Sequence, residues 1–90
     1  MGEFTVILTN HAQEQLDALG PRAIGALEWL QALYLDDIEW MAARLPPQKG
    51  RDMWLLWAEG VRILFDIEDS DLTVHGVGLR PTGGRRREFR

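Results

Sequence analysis

The residues of this chain best equipped for chemistry are its arginines and its two histidines. Residues 80–90 hold five arginines against one glutamate, whereas residues 1–79 hold five Lys/Arg against thirteen Asp/Glu. A polyanion would be drawn to that end, through Arg80, Arg85, Arg86 and Arg87, and repelled by much of the remainder. On charge alone such a cluster reads first as a solvated tail. His11 and His75 could each act as a general base near neutral pH. They stand far apart in sequence, and two such histidines read as structural or surface groups. Asp36, Asp37, Glu39, Asp69 and Asp71 lack the ligand spacing of a calcium loop and suit turns and helix caps. The chain has no cysteine. That excludes disulfides, thiolate chemistry and Cys-based zinc sites, and no metal or other cofactor is indicated.

Four tryptophans in 90 residues are a second feature to place. Trp29 and Trp40 fall on a helical segment, and Trp54 and Trp57 fall on opposite faces of one strand. Where helices cover one sheet face, one of the strand pair must point to the other. Core packing accounts for most of these rings, since aromatics dominate small cores. The uncovered face, with Leu64 and one of Trp54 or Trp57, would form an apolar groove suited to an amphipathic helix from a partner.

The elements that must position these groups are read from periodicity. Ninety residues fit one domain, spanning 1–90, with 81–90 as a basic tail. The length allows one modest core. No apolar run approaches the ~20 residues of a membrane span, and the first residues lack a secretory pattern. A cytoplasmic, soluble protein is expected. Residues 4–9 read as a short strand around Val6, Ile7 and Leu8. Asn10 is an expected N-cap with Gln13 in the capping-box position, and Ala12, Leu16 and Leu19 share one helix face. Gly20 is an expected C-terminal cap, and Pro21 suits the first turn of the next helix.

Residues 21–45 carry an apolar stripe of Ile24, Leu27, Tyr34, Ile38, Met41 and Leu45 at helical spacing. Asp36 with Glu39 offers a second capping box, so a break near Leu35 is credible. Pro46 and Pro47 close the helical stretch, and 48–52 reads as a polar loop. Residues 53–58, 61–67 and 72–79 read as strands joined by tight turns at 59–60 and 68–71. In the middle one Val61, Ile63, Phe65 and Ile67 share one face, and Arg62, Leu64 and Asp66 the other. The expected class is α+β: an N-terminal strand, a helical hairpin, then a three-stranded antiparallel meander, with helices on one face of the sheet.

This order resembles the RelE/ParE superfamily of type II toxin–antitoxin toxins. Gly60-Val61-Arg62-Ile63-Leu64-Phe65 is similar to the family's glycine, aromatic, arginine, apolar strand, with Val61 in place of the aromatic. Val77-Gly78-Leu79-Arg80 is similar to the last-strand ending in which arginine follows a valine–glycine pair by one residue. Thr9-Asn10-His11-Ala12, with Leu16 and Leu19, fits the first strand and helix more loosely.

The resemblance implies a toxin that inhibits translation by metal-independent, ribosome-associated cleavage of messenger RNA. Arg62 and Arg80 match the family's two phosphate-holding arginines, a task suited to a forked guanidinium. Arg85, Arg86 and Arg87 would supplement RNA contacts from the tail. Without the resemblance, Arg62 reads as the cross-strand partner of Asp66 or Glu68. The implied partners are a cognate antitoxin, held at Leu64, Trp54 and Trp57, and the ribosome with its message. Two departures stand out. Met53, Leu55 and Trp57 occupy positions where RelE members often carry basic groups, and Arg86 lies near where the family often has a tyrosine. These departures favour two alternatives: a ParE-like, non-catalytic inhibitor of DNA gyrase, or a catalytically degenerate interaction module.

Overall fold

The computed structural model of the chain describes residues 4–79. Strand β1 (Thr5–Leu8) leads into helices α1 (Asn10–Leu19), α2 (Pro21–Gln31) and α3 (Leu35–Met41). Strands β2 (Ala43–Gln48), β3 (Arg51–Ala58), β4 (Val61–Glu68) and β5 (Asp71–Leu79) follow. They form one sheet in the order β1-β5-β4-β3-β2, in which β2 to β5 are an antiparallel meander and β1 lies parallel to β5. The class is α+β, with the helices on one face of the sheet.

The helix boundaries follow from local chemistry. Thr9, and not Asn10, caps α1: its hydroxyl oxygen accepts from the Ala12 amide at 3.1 Å. Gly20 ends α1 at φ 82°, ψ −154°, a backbone conformation confined in practice to glycine. Pro21 then opens α2, where its missing N–H costs nothing. No side chain caps α3, so the Asp36–Glu39 capping box does not form. Asp36 and Asp37 instead sit in its first turn, where negative charge meets the positive helix end. Residues 32–34 divide α2 from α3, close to the break suggested by the sequence.

The helical stretch ends earlier than the sequence implies. It stops at Met41, and Ala43–Gln48 is a fifth strand, paired with β3 from Ala43↔Leu55 to Gln48↔Arg51. Proline cannot donate to a ladder and is confined to edges and bulges. Pro46 and Pro47 lie on an edge strand at its break in register, between Leu45 and Gln48. The loop expected over 48–52 is a two-residue turn, Lys49-Gly50, with both φ angles positive as a tight hairpin of primed type requires. Glu59-Gly60 turns the same way.

The core lies between the helices and one sheet face. Ala12, Ala23, Leu27, Leu30 and Ile38 meet Leu56, Val61, Ile63, Phe65, Leu72 and Val74 there. Each such large apolar side chain contributes about 1.5–3 kcal/mol by leaving water. The buried stripe of α2 is Ala23, Ala26, Leu27 and Leu30, and Ile24 faces outward. Small alanines let α2 approach the sheet closely, a choice that hydrophobic spacing alone does not show. Nor do the tryptophans mostly fill the core. Trp54 packs against it with the Arg44 guanidinium over its ring, whereas Trp29, Trp57 and above all Trp40 are exposed.

Candidate functional site

The second sheet face has no helix over it, and its side chains are fixed by strand parity. Register places Trp57 opposite Arg62 and Leu55 opposite Leu64 across β3 and β4. Across β4 and β5 it places Arg62 opposite Gly78 and Leu64 opposite Gly76. Trp57, Leu55, Arg62 and Leu64 therefore share the open face. Trp54 pairs with Phe65 and points to the helices, so it does not join Leu64 there.

The edge of the sheet turns this face into a groove. β1 covers β5 only as far as Leu8↔Val74, which leaves the later part of β5 without a strand on the side away from β4. Helix α1 takes over: the Gln15 side-chain oxygen accepts from the Val77 amide at 2.8 Å. That oxygen also lies over Gly76, where a Cβ would be in ordinary contact with it at 3.5 Å. The resulting groove of about 410 Å³ is walled by His11 and Gln15 of α1 and by His75, Gly76 and Val77 of β5. Leu45, Leu55 and Leu64 line it as apolar surface, and Arg62 lines it as a cation.

Arg62 is placed by what it lies over. A Cβ at Gly78 would come within 2.8 Å of its terminal nitrogen, so the guanidinium rests against the bare backbone of β5. It makes no ion pair with Asp66 or Glu68, nor with any other described residue. Asp66 has other partners. Its buried carboxylate accepts from Arg51 at 3.3 Å and lies within hydrogen-bonding distance of His75 Nε2. His75 reaches it because β5 carries a bulge. Leu64 pairs with Gly76 and Phe65 with Val74, which leaves His75 as the extra residue.

Arg51, Asp66 and His75 thus form a polar chain across β3, β4 and β5 that the sequence reading missed. Its one visible signal was an acidic residue, Asp66, on the same strand face as Leu64. A buried carboxylate needs partners: His75 stood on an expected neighbouring strand, whereas Arg51 fell in the expected loop and joins β3 only in the structure. Arg80, Arg85, Arg86 and Arg87 lie outside the described residues. Among the described residues, no three or more His, Asp or Glu gather as a metal ion would require. No described helix is long and apolar enough to cross a membrane.

No family model matches the sequence, and no curated protein matches it either. Among solved structures, the chain is similar to one in the toxin–antitoxin complex RelBE2 from Mycobacterium tuberculosis. The TM-score is 0.68 at 21% identity, over 87% of this chain and 99% of that one. The architecture is therefore a RelE-like toxin fold.

Proposed function

We propose, taking that fold as premise, that the chain is the toxin of a type II toxin–antitoxin pair and inhibits translation by cutting messenger RNA at the ribosome. The observation that carries this reading is Arg62, an exposed guanidinium in a groove, without a described counter-ion and laid over glycine. A guanidinium held this way can take a phosphate bidentately and stabilise the charge that builds at phosphorus. Arg80 would complete the clamp, and Arg85, Arg86 and Arg87 would add contacts to the RNA backbone. The cognate antitoxin would lay an apolar segment over Leu45, Leu55 and Leu64 and beside Trp57, covering Arg62.

Induction of the chain alone should arrest growth and leave cuts in translated messages, read by primer extension on total RNA. Co-expression with the neighbouring small open reading frame should restore growth and yield a complex in pull-down. A second reading is favoured by the apolar groove surface and by the apolar β3 positions Leu55 and Trp57. It is a ParE-like protein that poisons gyrase without catalysis, for which messages stay intact and supercoiling fails. Normal growth with intact RNA would leave an interaction module of the same fold.

Gly78 offers a test of how Arg62 is held. Its φ is not positive, so Gly78→Ala adds a methyl that strains no backbone and displaces only the flexible end of Arg62. Thermal stability should hold or rise slightly, by about 0.4–1 kcal/mol, because the unfolded chain loses freedom. Cleavage should nonetheless fall by about ten- to a hundredfold, since a misplacement of an ångström can be that costly. Melting curves and primer extension on the same variant check both halves.

A further inference from the structure

We propose that His75 is the general base of this site, with Asp66 and Arg51 as the residues that position it. The inference rests on the RNA-cleavage reading and extends it to the atom that starts the reaction. His75 lines the same groove as Arg62, and its side chain is about a third exposed. Asp66, with its side chain only 4% exposed, faces it from the neighbouring strand, and Arg51 Nη1 meets the same carboxylate oxygen. A neutral imidazole beside a carboxylate carries its proton on the shared nitrogen. Here that is Nε2, which leaves the Nδ1 lone pair as the proton acceptor.

The same arrangement serves the step that follows. Once Nδ1 takes a proton the ring is cationic, and the fixed negative charge of Asp66 stabilises it where it stands. Arg51 keeps that carboxylate in place, attached to a different strand. The bulge at His75 has a purpose under this reading, since bulges re-aim side chains beside active sites. Arg62 and Leu64 are separated by roughly 7 Å of strand, and Leu64 sits opposite Gly76, next to His75. A phosphate held at Arg62 and the imidazole would thus share one groove on the same sheet face.

The step balances without a metal. The 2′-hydroxyl gives its proton to Nδ1 as its oxygen forms a bond to phosphorus. The bond from phosphorus to the 5′-oxygen breaks, and that oxygen takes a proton from water. The products are a 2′,3′-cyclic phosphate and a 5′-hydroxyl, and the imidazolium returns its proton to the hydroxide left by that water.

The test uses the full chain on ribosomes translating a defined message, with cut ends mapped and their chemistry determined. The wild-type protein should leave a cyclic phosphate end. His75→Ala should cut about a hundred- to ten-thousandfold more slowly, the usual share of a general base, and free imidazole should restore part of the rate. His75→Gln keeps a donor for Asp66 but offers no basic nitrogen, and should stay slow at an unchanged melting temperature. Asp66→Asn should lower kcat while leaving KM in place, as expected of a residue that acts through the imidazole. A His75→Gln variant cutting at the wild-type rate would overturn the proposal, as would a slow His75→Ala that imidazole never restores. A wild-type chain that binds translating ribosomes but cuts nothing would overturn the nuclease reading itself, and this inference with it.

Discussion

If the chain cuts messages as proposed, Arg62→Ala is expected to slow cleavage by about a hundredfold while leaving the melting temperature unchanged. The rate effect follows from where the charge acts. A guanidinium at the phosphate stabilises negative charge that grows in the transition state, and removing one such donor typically costs a factor of this size. The stability half follows from isolation: Arg62 is exposed and has no hydrogen bond or ion pair to a described residue. Surface changes of that kind usually stay within about 0.5 kcal/mol. Arg62→Lys should recover only part of the rate, because an ammonium keeps the charge and loses the fork. Single-turnover cleavage on programmed ribosomes, beside thermal melts, is the measurement. A variant as active as the wild type would remove Arg62 from the site.

Phe65→Ala should be the opposite case, in which the fold fails first. Phe65 is fully buried on β4, between Trp54 of β3 and Val74 of β5. Truncation leaves a cavity and costs about 3–5 kcal/mol. Domains of this size hold only about 5–15 kcal/mol in all. The melting temperature should fall by at least about 12 °C, at a minimum of about 4 °C per kcal/mol. Denaturant titration followed by tryptophan fluorescence would report the loss. Phe65→Leu, which refills most of the space, should cost much less.

The contrast between these residues shows what the sequence discloses. Strict alternation along β4 separated Val61, Ile63 and Phe65 from Arg62, Leu64 and Asp66, and the structure keeps that division. The three hairpin strands also lie close to where turn chemistry put them. β2 was hidden because its six residues, Ala-Arg-Leu-Pro-Pro-Gln, include two that cannot donate to a ladder. Pairing with β3 makes it a strand, not its own propensity. His75 was hidden for a related reason. Unbroken alternation would set Val74 and Val77 on opposite faces, yet both are buried. One extra residue reconciles them, and it carries the imidazole to Asp66. A bulge has no short-range signature here, so the likeness to known toxins gave Arg62 but not its neighbour. The arginines beyond Leu79 stay with the sequence-based expectation.

The parallel pairing of β1 with β5 bears on when the groove can be complete. Thr5 meets Asp71, and Leu8 meets Val74, so the first described strand has no hydrogen-bonded neighbour until the last one exists. The helices can form locally and early, but contacts between such distant positions carry the largest closure entropy and form late. β5 also supplies His75, Gly76 and Val77 to the groove, and Gly78 beneath Arg62. During synthesis, then, no length of the chain that lacks β5 holds the whole described groove. If the chain is the toxin proposed above, its activity would wait on β5, which would give a co-produced antitoxin a defined moment at which to be waiting.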